Sequence, residues 1–347
     1  MSPVPRIALD AMGGDHAPAA VIAGAVDAQR DLGVQVVLVG PEDRVARELH
    51  RAAGRGLGSS FPGLVDAPDV IGMGEHPVAA VRAKRRSSIV VGLDLVARGE
   101  ADGFVSAGNT GAVMAAALLA LKRIEGIDRP ALATPFPSAT GPCLLLDVGA
   151  NAEARAHNLV QFAIMGSIYA ERVLGIPEPR VALLSIGEEE EKGTMRVQEA
   201  HRALRNAPVR FVGNVEGKDI PAGRADVIVT DGFVGNVLIK FAEGVGSSVL
   251  GVIRSEIRAN PVSSLLGLCL QPVFRRVRAK LDYAEYGGAP LLGVDGVCIV
   301  AHGRSNPRAV RNAIRVAAEA AQGGLVDRIC EGLAALQLRE TVSAQNR

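Results

Sequence analysis

The stretch that decides the fold is Ala101-Asp-Gly-Phe-Val-Ser-Ala-Gly-Asn-Thr-Gly111, which leads into the apolar run Ala112–Leu121. A short apolar segment with strand character ends in a turn of small and polar residues, and a helix-forming run follows at once. This order is typical of a βαβ unit, in which consecutive strands are parallel. The stretch therefore predicts a parallel α/β sheet.

The same order occurs six times along the chain, each time with Gly, Asp, Asn, Ser or His in the turn. Because the carboxyl ends of parallel strands share one edge, we expect these turns to meet there, where open α/β sheets bind ligands. Each following helix presents N–H groups and the positive end of its dipole, which suits an anion such as phosphate. The turns lie at residues 10–16, 106–111, 147–151, 185–188, 230–236 and 302–306, and we number them turn 1 to turn 6.

The alternation of strands and helices predicts a doubly wound, mostly parallel sheet. We expect residues 1–335 to form one catalytic α/β unit, or two lobes divided near 130–141, where prolines are dense and predict an irregular crossing. Residues 338–347 are expected to form a frayed tail.

One segment departs from the alternation and predicts a helical hairpin over residues 236–283. From Val234 to Ile257 apolar residues recur at helical spacing, and a second helical stretch follows an apolar tip between prolines. Dimer packing, an acyl-chain groove and membrane insertion are three open interpretations of this hairpin. We favour lipid contact at the tip, because apolar residues flanked by arginines suit a membrane interface. The residues assigned to carrier-protein or membrane contact are Arg258, Leu265, Leu266, Leu268, Leu270, Arg275 and Arg276.

Composition excludes some classes of function. The formal net charge is +1 and aromatic residues make up 3% of the 347 residues, which argues against a nucleic-acid partner. The four cysteines are scattered and favour a reducing cytoplasm. The chain enters a strand almost at once, and its longest apolar run is shorter than the ~18 residues of a membrane span. We therefore expect a cytoplasmic protein, with contact to a membrane surface left open.

Familiar catalytic patterns are absent from the sequence. No G-x-G-x-x-G follows a strand, and the run Gly187-Glu-Glu-Glu-Glu-Lys192 places four carboxylates where a phosphate loop needs small residues. What remains is a set of N–H donors, hydroxyls, amides, histidines and one lysine. Such a set suits binding one oxyanion and stabilising a second that forms in a tetrahedral transition state.

Seven segments read as long, specific motifs. They are Met12-Gly-Gly-Asp-His-Ala-Pro18, Val105-Ser-Ala-Gly-Asn-Thr-Gly-Ala112, Leu146-Asp-Val-Gly-Ala-Asn151, Ile186-Gly-Glu-Glu-Glu-Glu-Lys-Gly193, Gly213-Asn-Val-Glu-Gly217, Val229-Thr-Asp-Gly-Phe-Val-Gly-Asn236 and Tyr286-Gly-Gly-Ala-Pro-Leu-Leu-Gly-Val-Asp-Gly296. On these motifs the chain resembles the PlsX family, the bacterial phosphate acyltransferases, from residue 6 to about residue 325. Ser185, where Asn is expected, and Arg304, where Ser or Lys is common, depart from the family pattern.

The resemblance implies transfer of a long-chain acyl group from acyl carrier protein to inorganic phosphate, which gives acyl phosphate for phospholipid synthesis. It implies a fold like that of phosphotransacetylases and the isocitrate and isopropylmalate dehydrogenases. It also implies a homodimer that associates peripherally with the membrane. No cofactor and no metal ion are expected.

Phosphate can attack an activated thioester directly, so the protein has to position the reactants and donate hydrogen bonds. We assign this catalytic work to His16, Asn109, Lys192, Asp231 and Asn236. Substrate binding is assigned to Gly13, Gly14, Ser106, Gly108, Thr110, Gly111, Asn151, Gly232 and His302.

Simpler roles remain open for these residues: helix capping for the turn residues, a solvated lysine, and structural hydrogen bonding for the histidines. Asp10, Asp15 and Asp147 are expected to hold donors in place from behind, and His50, His76 and His201 to have no role. The basic run Arg82-Ala-Lys-Arg-Arg86 could steer the acidic carrier protein, although such a run is more often a solvated face.

Two other functions compete with the acyltransferase. One is an NAD-dependent dehydrogenase of the same architecture, and the other is a noncatalytic membrane scaffold that recruits lipid enzymes. Phosphate-dependent release of the carrier thiol distinguishes both from the acyltransferase.

Overall fold

The computed structural model describes residues 3–53, 63–260, 263, 270–274 and 286–345, with the backbone alone beyond residue 338. Its strands form one sheet in the order β3-β2-β1-β4-β11-β10-β5-β6-β9-β7-β8. The strands are β1 Arg6–Asp10, β2 Gln35–Gly40, β3 Gly63–Asp66, β4 Gly103–Ser106, β5 Ala131–Ser138, β6 Gly141–Leu146, β7 Arg180–Leu184, β8 Arg210–Val215, β9 Val227–Val229, β10 Ala289–Leu292 and β11 Val297–Val300.

Helices cover both faces of this sheet, as the alternating pattern predicts. They are α1 Ala19–Leu32, α2 Glu42–Ala53, α3 Pro77–Ala83, α4 Ser88–Ala97, α5 Thr110–Ala120, α6 Ala156–Arg172, α7 Met195–Leu204, α8 Asp219–Ala222, α9 Gly232–Arg258, α10 Pro307–Gln322 and α11 Leu325–Gln345. One apolar cluster lies between the sheet and α1, α6, α10 and α11, and a second lies between the opposite face and α3, α4 and α5. Strands buried on both sides explain the nearly continuous apolar runs of the sequence.

Short polar side chains start several of the helices. The N-cap side chains of Ser87, Asn109, Thr194, Asp231 and Asn306 each accept a hydrogen bond from a backbone N–H in the first helical turn. These caps satisfy donors that the helix itself leaves unpaired. The turn residues therefore fix the point at which each strand passes into its helix.

The sheet consists of two parallel halves that run in opposite directions, which corrects the expectation of one common edge. Strands β1 to β4 and β11 are mutually parallel, and so are β6 to β9. Between them, β10 is antiparallel to β11 and β5, and β5 is antiparallel to β6. Turns 1, 2 and 6 consequently leave one half of the sheet, and turns 3, 4 and 5 leave the other half in the opposite direction.

A stagger between the halves brings their carboxyl ends together at the centre. Leu146, at the end of β6, pairs with Ala133 of β5. The residue before Ala133 is Leu132, and Leu132 pairs with Leu291 of β10. Val300, at the end of β11, pairs with Ala289 at the start of β10. The ends of β6 and β11 therefore lie level to within one residue across the central pair β10 and β5.

Two segments differ from the sequence prediction. Residues 131–138 form strand β5 instead of an irregular crossing, because its prolines at 135 and 137 lie where the antiparallel pairing with β6 tolerates them. The chain also continues as helix α11 to Gln345, where we expected a frayed tail.

The first helix of the predicted hairpin is present as α9, and residues 270–274 are helical. Leu265, Leu266, Leu268, Arg275 and Arg276 lie outside the described residues. Leu270 and Arg258 are exposed.

Candidate active site

Turns 1 and 2 meet around the buried carboxylate of Asp10. Asp10 Oδ1 accepts a hydrogen bond from the Met12 N–H at 3.0 Å, and Oδ2 accepts one from the Ser106 hydroxyl at 2.7 Å. Ser106 Oγ in turn accepts a hydrogen bond from the Gly108 N–H at 3.0 Å. Burial raises the pKa of Asp10, and the hydrogen bonds that it accepts act in the opposite direction. Asp10 therefore fixes the shape of two turns from behind, as the sequence predicts.

Glycines allow these turns to approach one another closely. A Cβ on Gly13 would lie 2.5 Å from Asp10 Oδ2 and 2.6 Å from the Gly108 nitrogen. The Asp15 N–H donates to the Gly303 carbonyl at 2.7 Å, which joins turn 1 to turn 6. His16 follows directly and is exposed.

The Asn109 side chain is occupied by structural contacts. Its Oδ1 caps α5 by accepting the Ala112 N–H at 3.1 Å, and its Nδ2 donates to the carbonyls of Met73 and Glu75 at 3.0 and 3.1 Å. The predicted side-chain contact with phosphate stays a prediction, and the contacts in the structure give Asn109 a positioning role. Asn109 ties the start of α5 to the loop before α3, and Gly111 packs against Pro77 of that helix.

In the other half, the fully buried carboxylate of Asp147 organises turn 3. Its two oxygens accept hydrogen bonds from the N–H groups of Leu132, Gly149, Ala150 and Asn151 and from Asn151 Nδ2, at 2.7 to 3.1 Å. Burial raises the pKa of Asp147, while these donors favour its charged form. Asn151 Nδ2 also donates to the Pro130 carbonyl at 2.7 Å, so the Asn151 side chain stabilises the conformation of turn 3.

Turn 5 lies directly on turn 3. Asp231 caps α9 by accepting the Val234 N–H at 2.8 Å, and the Gly232 N–H donates to the Asn151 carbonyl at 2.8 Å. A Cβ on Gly235 would lie 1.9 Å from the Asp147 carbonyl oxygen. Asn236 is exposed beside Gly149. Asp231 and Gly232, two of the predicted site residues, therefore fix the start of α9 against turn 3.

Turn 4 follows β7, which is paired in parallel with β9, so it begins beside turn 5, and α7 and β8 support the loop that continues from it. Asn214 Nδ2 donates to the Glu189 carbonyl at 2.8 Å, and Asn214 Oδ1 contacts His201 Nδ1 at 3.0 Å. His201, for which the sequence suggested no role, is thus part of the support of this loop. Lys192 is exposed and its side chain lies over Gly187.

The single basin that the sequence predicts for His16 and Lys192 stays a prediction, and the two residues follow strands that lie far apart in the sheet. Strands β1 and β7 are seven positions apart in the sheet, which corresponds to about 34 Å at roughly 4.8 Å per strand. The sequence could not reveal this separation, because nothing in it marks the reversal of direction between the two halves. Six similar turns therefore divide into two groups of three.

A cavity of about 190 Å³ lies at the junction of the two halves. Strands β5, β10 and β11 provide its floor, while α5, α9 and turns 3 and 6 provide its sides. Its lining residues are Thr110, Leu132, Thr134, Pro135, Val148, Ile239, Glu243, Tyr286, Gly288, Ala289, Val300, Ala301, His302, Ser305 and Ala309. Two predicted binding residues, Thr110 and His302, are among them. The apolar lining residues were missed, because they come from distant segments without a shared motif.

The rim of the cavity carries polar groups suited to an anion. Thr110 is the first residue of α5, and the N–H groups of a first helical turn have no partner within the helix. His302 Nδ1 accepts the Arg304 N–H at 3.1 Å, which places the proton of a neutral ring on Nε2. Among the residues that the structure describes, no group of three His, Cys, Asp or Glu side chains is arranged to hold a metal ion.

Comparison with known proteins agrees with this architecture. The family described as "Fatty acid synthesis protein" matches residues 5–328. The "Phosphate acyltransferase" of Heliobacterium modesticaldum is 54% identical over 326 residues, covering 94% of this chain and 97% of the relative. That of Desulforamulus reducens is 50% identical over 329 residues, covering 94% and 97%.

A solved phosphotransacetylase from Streptococcus pyogenes has the same fold, with a TM-score of 0.64, 18% identity, and coverage of 93% of this chain and 95% of the other. The phosphate acyltransferase relatives exclude the dehydrogenase and the noncatalytic scaffold as the primary function. The family match and these identities show that the chain belongs to the PlsX family of phosphate acyltransferases, which act in fatty acid and phospholipid synthesis.

Proposed function

We propose that this phosphate acyltransferase takes a long-chain acyl group from the thioester of acyl carrier protein and transfers it directly to inorganic phosphate. The observation that carries the proposal is the central cavity, whose polar rim at the start of α5 adjoins an apolar wall. An anion and an acyl chain can therefore be held side by side. Holding the two reactants in this way is the main contribution that the reaction requires of a protein.

The reaction needs no covalent intermediate on the enzyme. A phosphate oxygen attacks the thioester carbon and forms the C–O bond, the C–S bond breaks, and the carrier leaves as a thiolate that takes up a proton. The first turn of α5, from Thr110 onward, binds phosphate through its N–H groups and dipole. His302 donates from Nε2 to the developing oxyanion or to the thiolate, and His16 is assigned the same work from turn 1, which is joined to turn 6 through Asp15.

The other predicted catalytic residues, and the predicted substrate-binding residue Asn151, have different positions. Asp231 and Asn151 support turns 3 and 5, next to Val148 in the cavity wall. Lys192 and Asn236 stay predictions, since neither lines the cavity. The exposed Arg82 and Arg85 could attract the acidic carrier protein, whereas Lys84 pairs with Glu75 at 2.6 Å and Arg86 pairs with Asp66 at 3.2 Å.

We also propose that the protein works at the cytoplasmic surface of a membrane, which it contacts through α9. Within the described ranges, α9 is the helix whose length and composition would allow it to span a bilayer, and its most apolar window is unburied. Its polar side carries Lys240, Glu243 and Arg254, so an interfacial position fits better than a spanning one. The homodimer stays a prediction.

The transfer is tested by mixing the protein with palmitoyl carrier protein and measuring free thiol with and without phosphate. We expect thiol release only with phosphate, together with acyl phosphate that hydroxylamine traps. Release at the same rate without phosphate would indicate a thioesterase and would overturn the proposed reaction. Added NAD should leave the rate and the absorbance at the reduced-nicotinamide band unchanged.

A further inference from the structure

The wall of the central cavity has a chemistry that selects its occupant. Its buried part consists of Leu132, Pro135, Val148, Val300, Ala301 and Ala309, with Ser305 as its buried hydroxyl. The Ser305 hydroxyl donates to the His302 carbonyl at 2.5 Å, so it is already paired. A ligand that enters the buried part therefore meets apolar carbon and few hydrogen-bonding partners.

Two parts of an acylated carrier protein could enter such a cavity. The pantetheine arm carries two amide groups, which would lose their hydrogen bonds to water and find few replacements in this wall. An unpaired buried amide costs about 1–3 kcal/mol, whereas each buried methylene contributes about 0.8 kcal/mol. The free energy of burial thus favours the acyl chain over the arm.

Helix α9 closes one side of the cavity. Ile239, about two turns after the helix begins, is half-buried against the apolar cluster and lines the cavity together with Glu243. The position of α9 is fixed by the contact of its first turn with turn 3, through Gly232 and Gly235. Ile239 therefore sets the width of the cavity between α9 and the strands β5 and β10.

We propose that the cavity holds the acyl chain of the substrate and that Ile239 and Ala309 determine which chain lengths it accepts. This inference rests on the proposed transfer of an acyl group to phosphate. A larger side chain at either position fills space that the distal methylenes would occupy. Short chains end before they reach this space.

The test compares octanoyl and palmitoyl carrier proteins as substrates of Ile239→Phe. We expect kcat/KM for palmitoyl transfer to fall about tenfold relative to octanoyl transfer. This decrease corresponds to about two methylene groups of the longer chain that are no longer buried. Ile239→Ala should change the ratio in the opposite direction. The control is Leu119→Phe on α5, which is 63% exposed, does not line the cavity and should leave the ratio unchanged.

Ala309→Leu provides a second test from the opposite wall. Because Ala309 is buried, the thermal unfolding of the Ala309→Leu variant is measured as well. The ratio of kcat/KM for the two substrates separates a specific effect from a general loss of folded protein. Equal losses for both chain lengths in the Ile239 and Ala309 variants would overturn the assignment of the cavity to the acyl chain. If wild type releases no thiol in response to phosphate with either carrier, the proposed function itself fails.

Discussion

At the residue scale, two glycines decide how closely α9 approaches turn 3. A Cβ on Gly232 would lie 2.5 Å from the Asn151 carbonyl oxygen, and one on Gly235 would lie 1.9 Å from the Asp147 carbonyl oxygen. The backbone of turn 3 cannot retreat easily, because the Asp147 carboxylate holds it through donors from four residues. The position of Ile239 in the cavity therefore depends on the absence of a side chain at both Gly232 and Gly235.

We expect Gly235→Ala to lower the free energy of unfolding by about 3 kcal/mol, because the added carbon forces the helix away from turn 3. Urea unfolding followed by circular dichroism measures the change. The matched control is Gly246→Ala on the same helix, where a Cβ would meet nothing within 4 Å. That substitution should raise the free energy of unfolding by about 0.5–1 kcal/mol, because alanine favours the helix. Similar small effects at both positions would contradict the close contact.

At the element scale, α9 is the helix whose surroundings match its sequence least. Its apolar side chains recur every three or four residues, yet Phe241 is 71% exposed and Val252 is 61% exposed. A soluble helix buries such a stripe against its own core. Here the stripe extends beyond the sheet, so we expect a membrane surface or a second copy of the chain to cover it.

The membrane contact predicts a loss of binding in Phe241→Glu. We expect this variant to fold normally, because the side chain is exposed, and to lose more than tenfold of its affinity for vesicles of phosphatidylcholine and phosphatidylglycerol, because burying a Phe contributes about 1.5–3 kcal/mol. Flotation with the vesicles measures the affinity. Ser247→Glu, on the polar side of the same helix, serves as the control. Full flotation of Phe241→Glu, with a changed oligomeric state, would assign the stripe to a second copy instead.

At the scale of the whole molecule, the sequence predicted each strand–turn–helix unit but not how the units combine. The turns at Asp10, Ser106 and Asp147 carry their signals locally, in glycines and capping side chains, so they could be identified one at a time. The direction of each half depends on β5 and β10, two strands whose antiparallel pairing joins distant parts of the chain. The cavity was missed for the same reason, because its walls exist only after the halves are joined.

The separation between the halves makes a prediction about His16 and Lys192, which the sequence placed in one site. Strands β1 and β7, which lead into turns 1 and 4, are about 34 Å apart at roughly 4.8 Å per strand, so we expect the two side chains to act at different positions. Substitutions that far apart usually have additive effects, to within about 0.3–0.5 kcal/mol. We therefore expect the fold-losses of kcat/KM in His16→Ala and Lys192→Ala to multiply in the double variant. Phosphate-dependent thiol release measures all three proteins under the same conditions. A double variant no slower than the slower single variant would show that both residues serve one step.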